Sequence, residues 1–276
     1  MLLLVDGSNL LFQMFYGIPP RIVNGRPVQG TVGFVGALLK IIGMVQPTHV
    51  AVLFDGECSN ERRELDADYK ANRQDFSQMP QEQTPFSQLP DIYAALDEMN
   101  ICHGETTTCE ADDWLAGYAL RYGEEMPVVI SSQDSDLFQL ITENVRILRY
   151  RGEKTLLCDE AYVKEKLGIA PSQYADFKAL VGDPSDHIRG VEKIGVKTAA
   201  ELLARFGSLD AIISRIDEIE KTAVRESLSR NTERARHNLK LIKLSAGERL
   251  PFELQQLSFL NQGWKTSQII GKIGVK

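Results

Sequence analysis

The chain has 276 residues, 43% apolar and 25% charged, with 31 Lys and Arg against 38 Asp and Glu for a formal net charge of −7. Such a length suits one large or two modest domains, and the composition excludes both a disordered chain and a disulfide-stapled miniprotein. No stretch reaches the roughly 18 to 20 apolar residues of a membrane span, and the opening run Met1 to Val5 is cut off by Asp6, wrongly flanked for a secretory signal. A soluble, cytoplasmic protein is expected.

In chain order, Leu2-Leu3-Leu4-Val5, Val50-Ala51-Val52-Leu53-Phe54 and Val128-Val129-Ile130 are continuous apolar runs rich in branched side chains, as in strands buried on both faces. Between them Thr31 to Val45, Pro85 to Met99 and Glu110 to Tyr122 carry apolar residues near a 3.6 spacing, which predicts helices. Strands alternating with helices predict an α/β fold, an open and mostly parallel sheet flanked by helices, over residues 1–165. Beyond about Pro171 the strand signal fades into Gly-punctuated helices, so residues 166–276 are expected to form a smaller helical domain.

The stretch from Glu61 to Gln83 differs in kind. It carries Arg62, Arg63, Lys70 and Arg73 among Asn, Gln and Ser, with few apolar anchors, so it is expected not to pack deeply but to project into solvent or over a cleft. The cysteines, Cys58, Cys102, Cys109 and Cys158, form no C-x-x-C pair and the histidines are scattered, which argues for reduced thiols and against a zinc site.

Acids cluster just after the predicted strands: Asp6, Asp55, and Asp134 with Asp136. The carboxyl ends of strands line the crevice of an open α/β sheet, so these side chains should converge. Glu110, Asp112 and Asp113 open a predicted helix, and Asp183 with Asp186 adds an i, i+3 pair. Each acid alone would ordinarily be a cap or a solvated loop residue. Together, aimed at one crevice, they would repel one another and need cations to coexist, and hard oxygen ligands select Mg²⁺ or Mn²⁺.

Val5-Asp6-Gly7-Ser8-Asn9, Phe54-Asp55-Gly56, Tyr69-Lys70-Ala71-Asn72-Arg73, Glu110-Ala111-Asp112-Asp113, Asp134-Ser135-Asp136 and Gly182-Asp183-Pro184-Ser185-Asp186 resemble, in order and spacing, the motifs of the bacterial and phage 5′-nuclease family. That family has a PIN-like fold and includes flap endonucleases and the 5′-nuclease domain of DNA polymerase I. The resemblance implies a first metal site at Asp6, Asp55, Glu110 and Asp112, and a second around Asp112, Asp113, Asp134, Asp136, Asp183 and Asp186. Two Mg²⁺ there, with Mn²⁺ as a substitute, would activate water, steady the pentacovalent phosphate and neutralise the leaving 3′-oxygen. By the same resemblance Lys70 and Arg73 are catalytic, facing the scissile phosphate from an arch at about residues 61–83. Arg62 and Tyr69 are implied to bind DNA, with Tyr69 stacking an unpaired base.

Gly190 to Ala199 resembles the family's helix-hairpin-helix, which implies duplex contacts from Gly190, Lys193, Gly195, Lys197 and Thr198 and a K⁺ held by the Val191 and Ile194 backbone. As a Walker A loop it fails, because Val196 separates Gly195 from Lys197. The chain departs from the family pattern where Lys193 replaces Gly, where Arg189 and Glu192 replace Pro, and where His187 replaces Asn. Thr108-Cys109 stands for Gly-Tyr, and Ser135 for a basic residue. None of these removes a candidate metal ligand.

The tail Lys272 to Lys276 repeats Lys193 to Lys197 letter for letter, an echo that offers a weak candidate for docking a replication partner. The expected function is that of a monomeric, stand-alone 5′ nuclease acting on flapped or branched DNA and 5′ single-stranded ends, in replication and repair. Setting nine metal-site acids aside turns the net charge from −7 to +2, compatible with a phosphate-binding surface. The alternatives are a PIN-like ribonuclease, which would not need the hairpin, and a catalytically impaired binder of branched DNA.

Overall fold

The computed structural model describes every residue except Asn24, residues 57–60, Ser77, residues 246–248 and Lys276, and leaves the side chain of Glu61 undescribed. The expectation for Cys58, the end of the tail echo at Lys276, and Ser77 within the expected arch therefore lie outside the described residues. Cys102, Cys109 and Cys158 are not joined to one another by disulfides.

The N-terminal half runs β1 (Leu2–Asp6), α1 (Gly7–Gly17), a small ladder of β2 (Ile22–Val23) and β3 (Arg26–Pro27), α2 (Gln29–Val45), β4 (His49–Phe54) and α3 (Glu61–Leu65). It continues with α4 (Leu89–Glu98), β5 (Cys102–Glu105), α5 (Ala111–Tyr122), β6 (Val128–Ser131), β7 (Val145–Arg149) and β8 (Leu156–Cys158). Six of these strands form one sheet in the order β5-β4-β1-β6-β7-β8, parallel throughout except for β8, which runs antiparallel to β7.

The period-2 alternation of β1 divides the core into two layers. Leu2 and Leu4 face a cluster with α5 and the helices beyond it, while Leu3 and Val5 face a cluster with α1, α2 and α4. All four side chains are fully buried, each contributing about 1.5–3 kcal/mol to stability. Asp6 ends β1 and caps α1, accepting a hydrogen bond from Asn9 N at 2.9 Å.

The C-terminal half follows as α6 (Glu160–Leu167), α7 (Tyr174–Val181), a two-residue ladder of β9 (Gly182–Asp183) with β10 (Ile188–Arg189), then α8 (Val196–Phe206), α9 (Leu209–Ser214), α10 (Thr222–Arg230), α11 (Thr232–Ile242) and α12 (Thr266–Lys272). Residue 165, the expected boundary, falls inside α6. The helices share the first cluster of the sheet, where Leu2 and Ile130 join Leu203 and Leu241 in one contiguous core. The chain then returns to the N-terminal half: Phe259 N donates to Thr48 O at 2.8 Å, Ser258 bridges His49, and Ile269 of α12 is fully buried in the α2–α4 layer. Lys272 pairs with Glu98 and Val275 is buried, so the tail proposed for partner docking is itself docked. Among the described residues no helix is long and apolar enough to cross a membrane.

At the expected hairpin, Lys193 occupies the left-handed region at φ 62, so the turn is made with a lysine where glycine would be unstrained. His187 is left-handed too, at φ 60, in a conformation that Asn tolerates well. Gly195 is extended at φ −93, and a Cβ there would meet open space, so neither backbone strain nor packing demands glycine at that position. Gly190 is different: a Cβ would lie 2.2 Å from Val181 O.

Replacing Lys193 by Gly is expected to raise stability by about 0.5–1 kcal/mol, since relief of the left-handed strain outweighs the extra freedom of Gly in the unfolded chain. Gly190→Ala should instead cost about 2 kcal/mol or more. Denaturant unfolding of both variants checks the pair, and a destabilised Lys193→Gly would refute the strain argument.

Candidate metal centre

The expected acids do converge, but they sort into three groups with different partners. Asp136, Asp183 and Asp186 form the tightest: one carboxylate oxygen from each lies within 4.8 Å of the others, and all three residues are close to the sheet's carboxyl end or the β9–β10 turn. Asp136 Oδ1 is buried with no hydrogen-bond partner among the described residues. A buried carboxylate oxygen left unpartnered beside two further carboxylates is costly, and a hard divalent cation is what would complete it.

The second group, Asp6, Asp55, Asp112 and Asp134, is knit together through the strand ends. Ser132 donates to Asp6 Oδ2 at 2.7 Å and accepts from Asp134 N at 3.0 Å, and Asp134 Oδ1 in turn accepts from Asp136 N at 2.8 Å. Asp55 accepts from Ala111 N at 2.9 Å, so it caps α5 and draws that helix's first turn, with Asp112, toward the crevice.

Electrostatics follow from this crowding. Burial first, and then the neighbouring Asp55, pushes Asp6 up to about 7. Burial followed by Asp134 pushes Asp136 up to about 8. Asp112 rises well above the carboxylate range through burial and the charges of Asp134, Asp6 and Asp55, and Asp134 rises through burial. Asp183 goes the other way: burial raises it, but hydrogen bonds from Lys178 and Ser185 outweigh that and hold it low. Groups that can ionise together only at high cost are a strong physical case for cation binding.

Glu110 and Asp113, also expected to hold metal, are partnered here by basic side chains. Asp113 is gripped by Arg62 through Nη2 at 2.7 Å and Nη1 at 2.9 Å, and also accepts from Ser245 N at 2.8 Å. Glu110 accepts from Arg62 at 2.9 Å, from the Tyr69 hydroxyl at 3.2 Å, and from the Lys70 ammonium. Asp183 and Asp186 are ion-paired in the same way, with Lys178 and Arg73.

The same contacts refine the reading of residues 61–83. Most of the segment is exposed, as a shortage of apolar anchors predicts, but Arg62, Tyr69 and Lys70 are 7%, 5% and 8% exposed and tie it down. Ionic and hydrogen-bonded anchors replace apolar ones: Arg62 also donates to Leu241 O at 2.9 Å, Lys70 N to Asp186 O at 3.0 Å, and Arg73 reaches Asp186 Oδ1 at 2.9 Å. Arg62 is thus an interior counter-ion rather than a DNA-facing surface residue, and the Tyr69 ring is covered rather than open for stacking a base. Arg73, with a side chain 52% exposed, and Lys70 do lie across the acidic crevice as expected.

The sequence reading missed Lys178, which meets Asp183 at 2.5 Å from the middle of α7. A lysine between the apolar residues Phe177 and Ala179 was its one signal. Ser132, which links Asp6 to Asp134, carried none. In the C-terminal half the hairpin turn is fastened from behind, by Ser227 Oγ to Glu192 O at 2.6 Å and Asn238 to Arg189 O at 2.9 Å. Lys193, Gly195 and Lys197 are exposed, Thr198 and Gly190 half-buried, and the Val191 carbonyl accepts from Ile194 N at 3.2 Å.

Comparison with known proteins agrees with this geometry. Residues 1–168 match the 5′-3′ exonuclease N-terminal resolvase-like domain, and residues 169–264 the 5′-3′ exonuclease C-terminal SAM fold. DNA polymerase I of Rhizobium leguminosarum is 36% identical over 267 residues, which cover 93% of this chain but only 26% of that protein. The chain thus spans about a quarter of that relative's length. T5 5′-exonuclease, solved with divalent zinc ions bound, superposes with a TM-score of 0.72 at 25% identity, covering 87% of this chain and 88% of its own. The T5 D15 flap endonuclease, in a pseudo-enzyme-product complex with DNA and metal ions, shares the fold over 100% of this chain and 99% of its own, with a TM-score of 0.73 at 23% identity. With both of its halves matched in sequence and the acidic crevice in place between them, the chain belongs to the 5′-3′ exonuclease family.

Proposed function

We propose that this chain is a structure-specific DNA 5′ nuclease, hydrolysing phosphodiesters at 5′ flaps and 5′ ends to leave 5′-phosphate and 3′-hydroxyl products. The observation that carries the reading is the Asp136, Asp183 and Asp186 cluster, with its buried unpartnered oxygen, lying under a segment that holds Lys70 and Arg73 across it. Asp136, Asp183 and Asp186 would hold one Mg²⁺, and Asp6, Asp55, Asp112 and Asp134 a second, with Mn²⁺ as substitute. When bound, the two ions supply activation of the attacking water and charge neutralisation at the reacting phosphate.

The chain's own groups do the positioning. Lys70 and Arg73 offer cationic donors at the rim, where negative charge develops on the phosphate, and release of Glu110 and Asp186 frees them for it. Exposed Lys193, Lys197 and Thr198 on the hairpin turn would take phosphates of the duplex arm, with a K⁺ on the Val191 and Ile194 carbonyls sharing that task. The protein would act as a cytoplasmic monomer in replication and repair.

The test offers end-labelled flap, nicked, single-stranded and RNA substrates with Mg²⁺ and maps the product ends. Cleavage confined to RNA would favour a PIN-like ribonuclease, and DNA binding with no cleavage an impaired binder. Asp136→Asn is expected to slow single-turnover cleavage by about 10²-fold or more while retaining flap affinity, because one cation site weakens and the duplex surface stays intact. Lys70→Ala should lower the single-turnover rate more than the affinity, and an equal loss in both would mean uniform binding.

A pH dependence follows from the raised carboxyls. Asp6 and Asp136 bind protons more tightly folded than unfolded, so their contribution to stability is fully present below the unfolded value of 3.8 and is lost as pH rises through about 7 and about 8. The melting temperature of EDTA-treated protein should accordingly fall between about pH 5.5 and about pH 8.5. Added Mg²⁺ should restore it, and by more at the higher pH, since protons and metal compete for the same oxygens. Calorimetric melting reads both, and a Mg²⁺ increment equal at the two pH values would contradict the assignment.

A further inference from the structure

Beside the metal centre lies a set of contacts that the two-cation reading leaves unused. Gln133, half-buried between Ser132 and Asp134, has each of its polar groups engaged. Its backbone N–H donates to Asn9 Oδ1 at 3.0 Å, and its backbone carbonyl accepts from Arg149 Nη2 at 2.7 Å. Its side-chain amide donates to Tyr150 O at 2.8 Å, while its Oε1 accepts from Arg151 Nε at 2.8 Å. The Tyr150 carbonyl also accepts from Gln13 of α1 at 2.8 Å. The loop that carries Asp134 is therefore fixed to both α1 and the end of β7.

Arg151 is the exposed member of this network. Its backbone is held too, donating to Thr155 Oγ1 at 3.1 Å, which closes on Gly152 O at 2.6 Å. Around the acids, Arg62, Lys70, Arg73 and Lys178 are all paired with carboxylates, whereas no ion pair among the described residues involves Arg151. With Nε tied to Gln133, the guanidinium is fixed in orientation while its two Nη groups remain for a second acceptor. That is the fork geometry which suits phosphate oxygens, at a reduced cost in rotamer entropy.

We propose that Arg151 is a phosphate-binding residue at the lip of the metal centre, gripping the DNA backbone next to the scissile phosphate, and that Gln133 is the positioning residue that orients it. This contact is separate from Lys70 and Arg73 and from the hairpin turn, and it rests on the nuclease reading above.

The experiment measures affinity for a fluorescent flap DNA in Ca²⁺ over a salt series, for wild type, Arg151→Ala, Arg151→Lys, Gln133→Leu and the double variant. Arg151→Ala is expected to weaken binding about three- to tenfold and to make the salt slope shallower by about 0.7–0.9, the signature of one lost phosphate contact. Arg151→Lys should restore the slope without the full affinity, because a point charge lacks the fork. Gln133→Leu should weaken binding when Arg151 is present and cost little more in the Arg151→Ala background, a non-additivity that a general loosening of the Asp134 loop would not produce. Mn²⁺ affinity by calorimetry should be unchanged in Arg151→Ala. An Arg151→Ala variant with wild-type affinity and slope, or strict additivity with Gln133→Leu, overturns the proposal. Should wild type itself neither bind nor cleave DNA, the nuclease reading fails instead, so the two failures are distinguishable.

Discussion

Mutual repulsion among buried carboxylates is the constraint around which this molecule is organised. A parallel sheet delivers Asp6, Asp55 and Asp134 to one edge because their strands are neighbours, and α5 and the β9–β10 turn add Asp112, Asp183 and Asp186. Left alone such a site would disperse. Internal cations hold it together, Arg62 on Glu110 and Asp113 and Lys178 on Asp183, while burial raises the proton affinity of Asp6 and Asp136. The crevice is thus a preorganised demand for positive charge that divalent ions can meet.

The segment at residues 61–83 is part of this balance rather than an ornament on it. Its secondary structure is slight, a single turn of α3 and a run of turns, and its apolar anchors are few. What fixes it are Arg62, Tyr69, Lys70 and Arg73, whose partners are acids of the site. Lys70 and Arg73, the two proposed to meet substrate, therefore also help hold the segment in place, so the rim of the site and its floor share partners instead of acting independently.

Much of this was legible in the residues. The central strands β1, β4 and β6 were read from unbroken apolar runs, because strands buried on both faces need no alternation. The outer strands β5, β7 and β8 were not, since Cys102 to Glu105 is polar and Val145 to Arg149 alternates only over a few residues. Helix α1 was missed although Asp6 caps it, because that acid was read for chemistry alone. The converging acids were recovered from their positions after strands. What spacing cannot disclose is how each carboxylate is partnered: Asp112 and Asp113 are adjacent letters, yet a helix turns them apart, one to the crevice and the other to Arg62 and Ser245. The burial of Arg62, Tyr69 and Lys70 within the otherwise exposed stretch 61–83 escapes composition for a related reason, since counting apolar anchors overlooks ionic ones.

The return of residues 258–275 to the N-terminal half has a bearing on how the site matures. Ser258 and Phe259 bond to the start of β4, and α12 seals the α2–α4 layer with Ile269. The sheet that aligns Asp6 with Asp55 is therefore not fully clad until residues 258–275 have crossed back over it. A chain folded only as far as α11 would leave the α2–α4 layer without Ile269, so the sheet face that carries Leu3 and Val5 is fully clad only once α12 has docked.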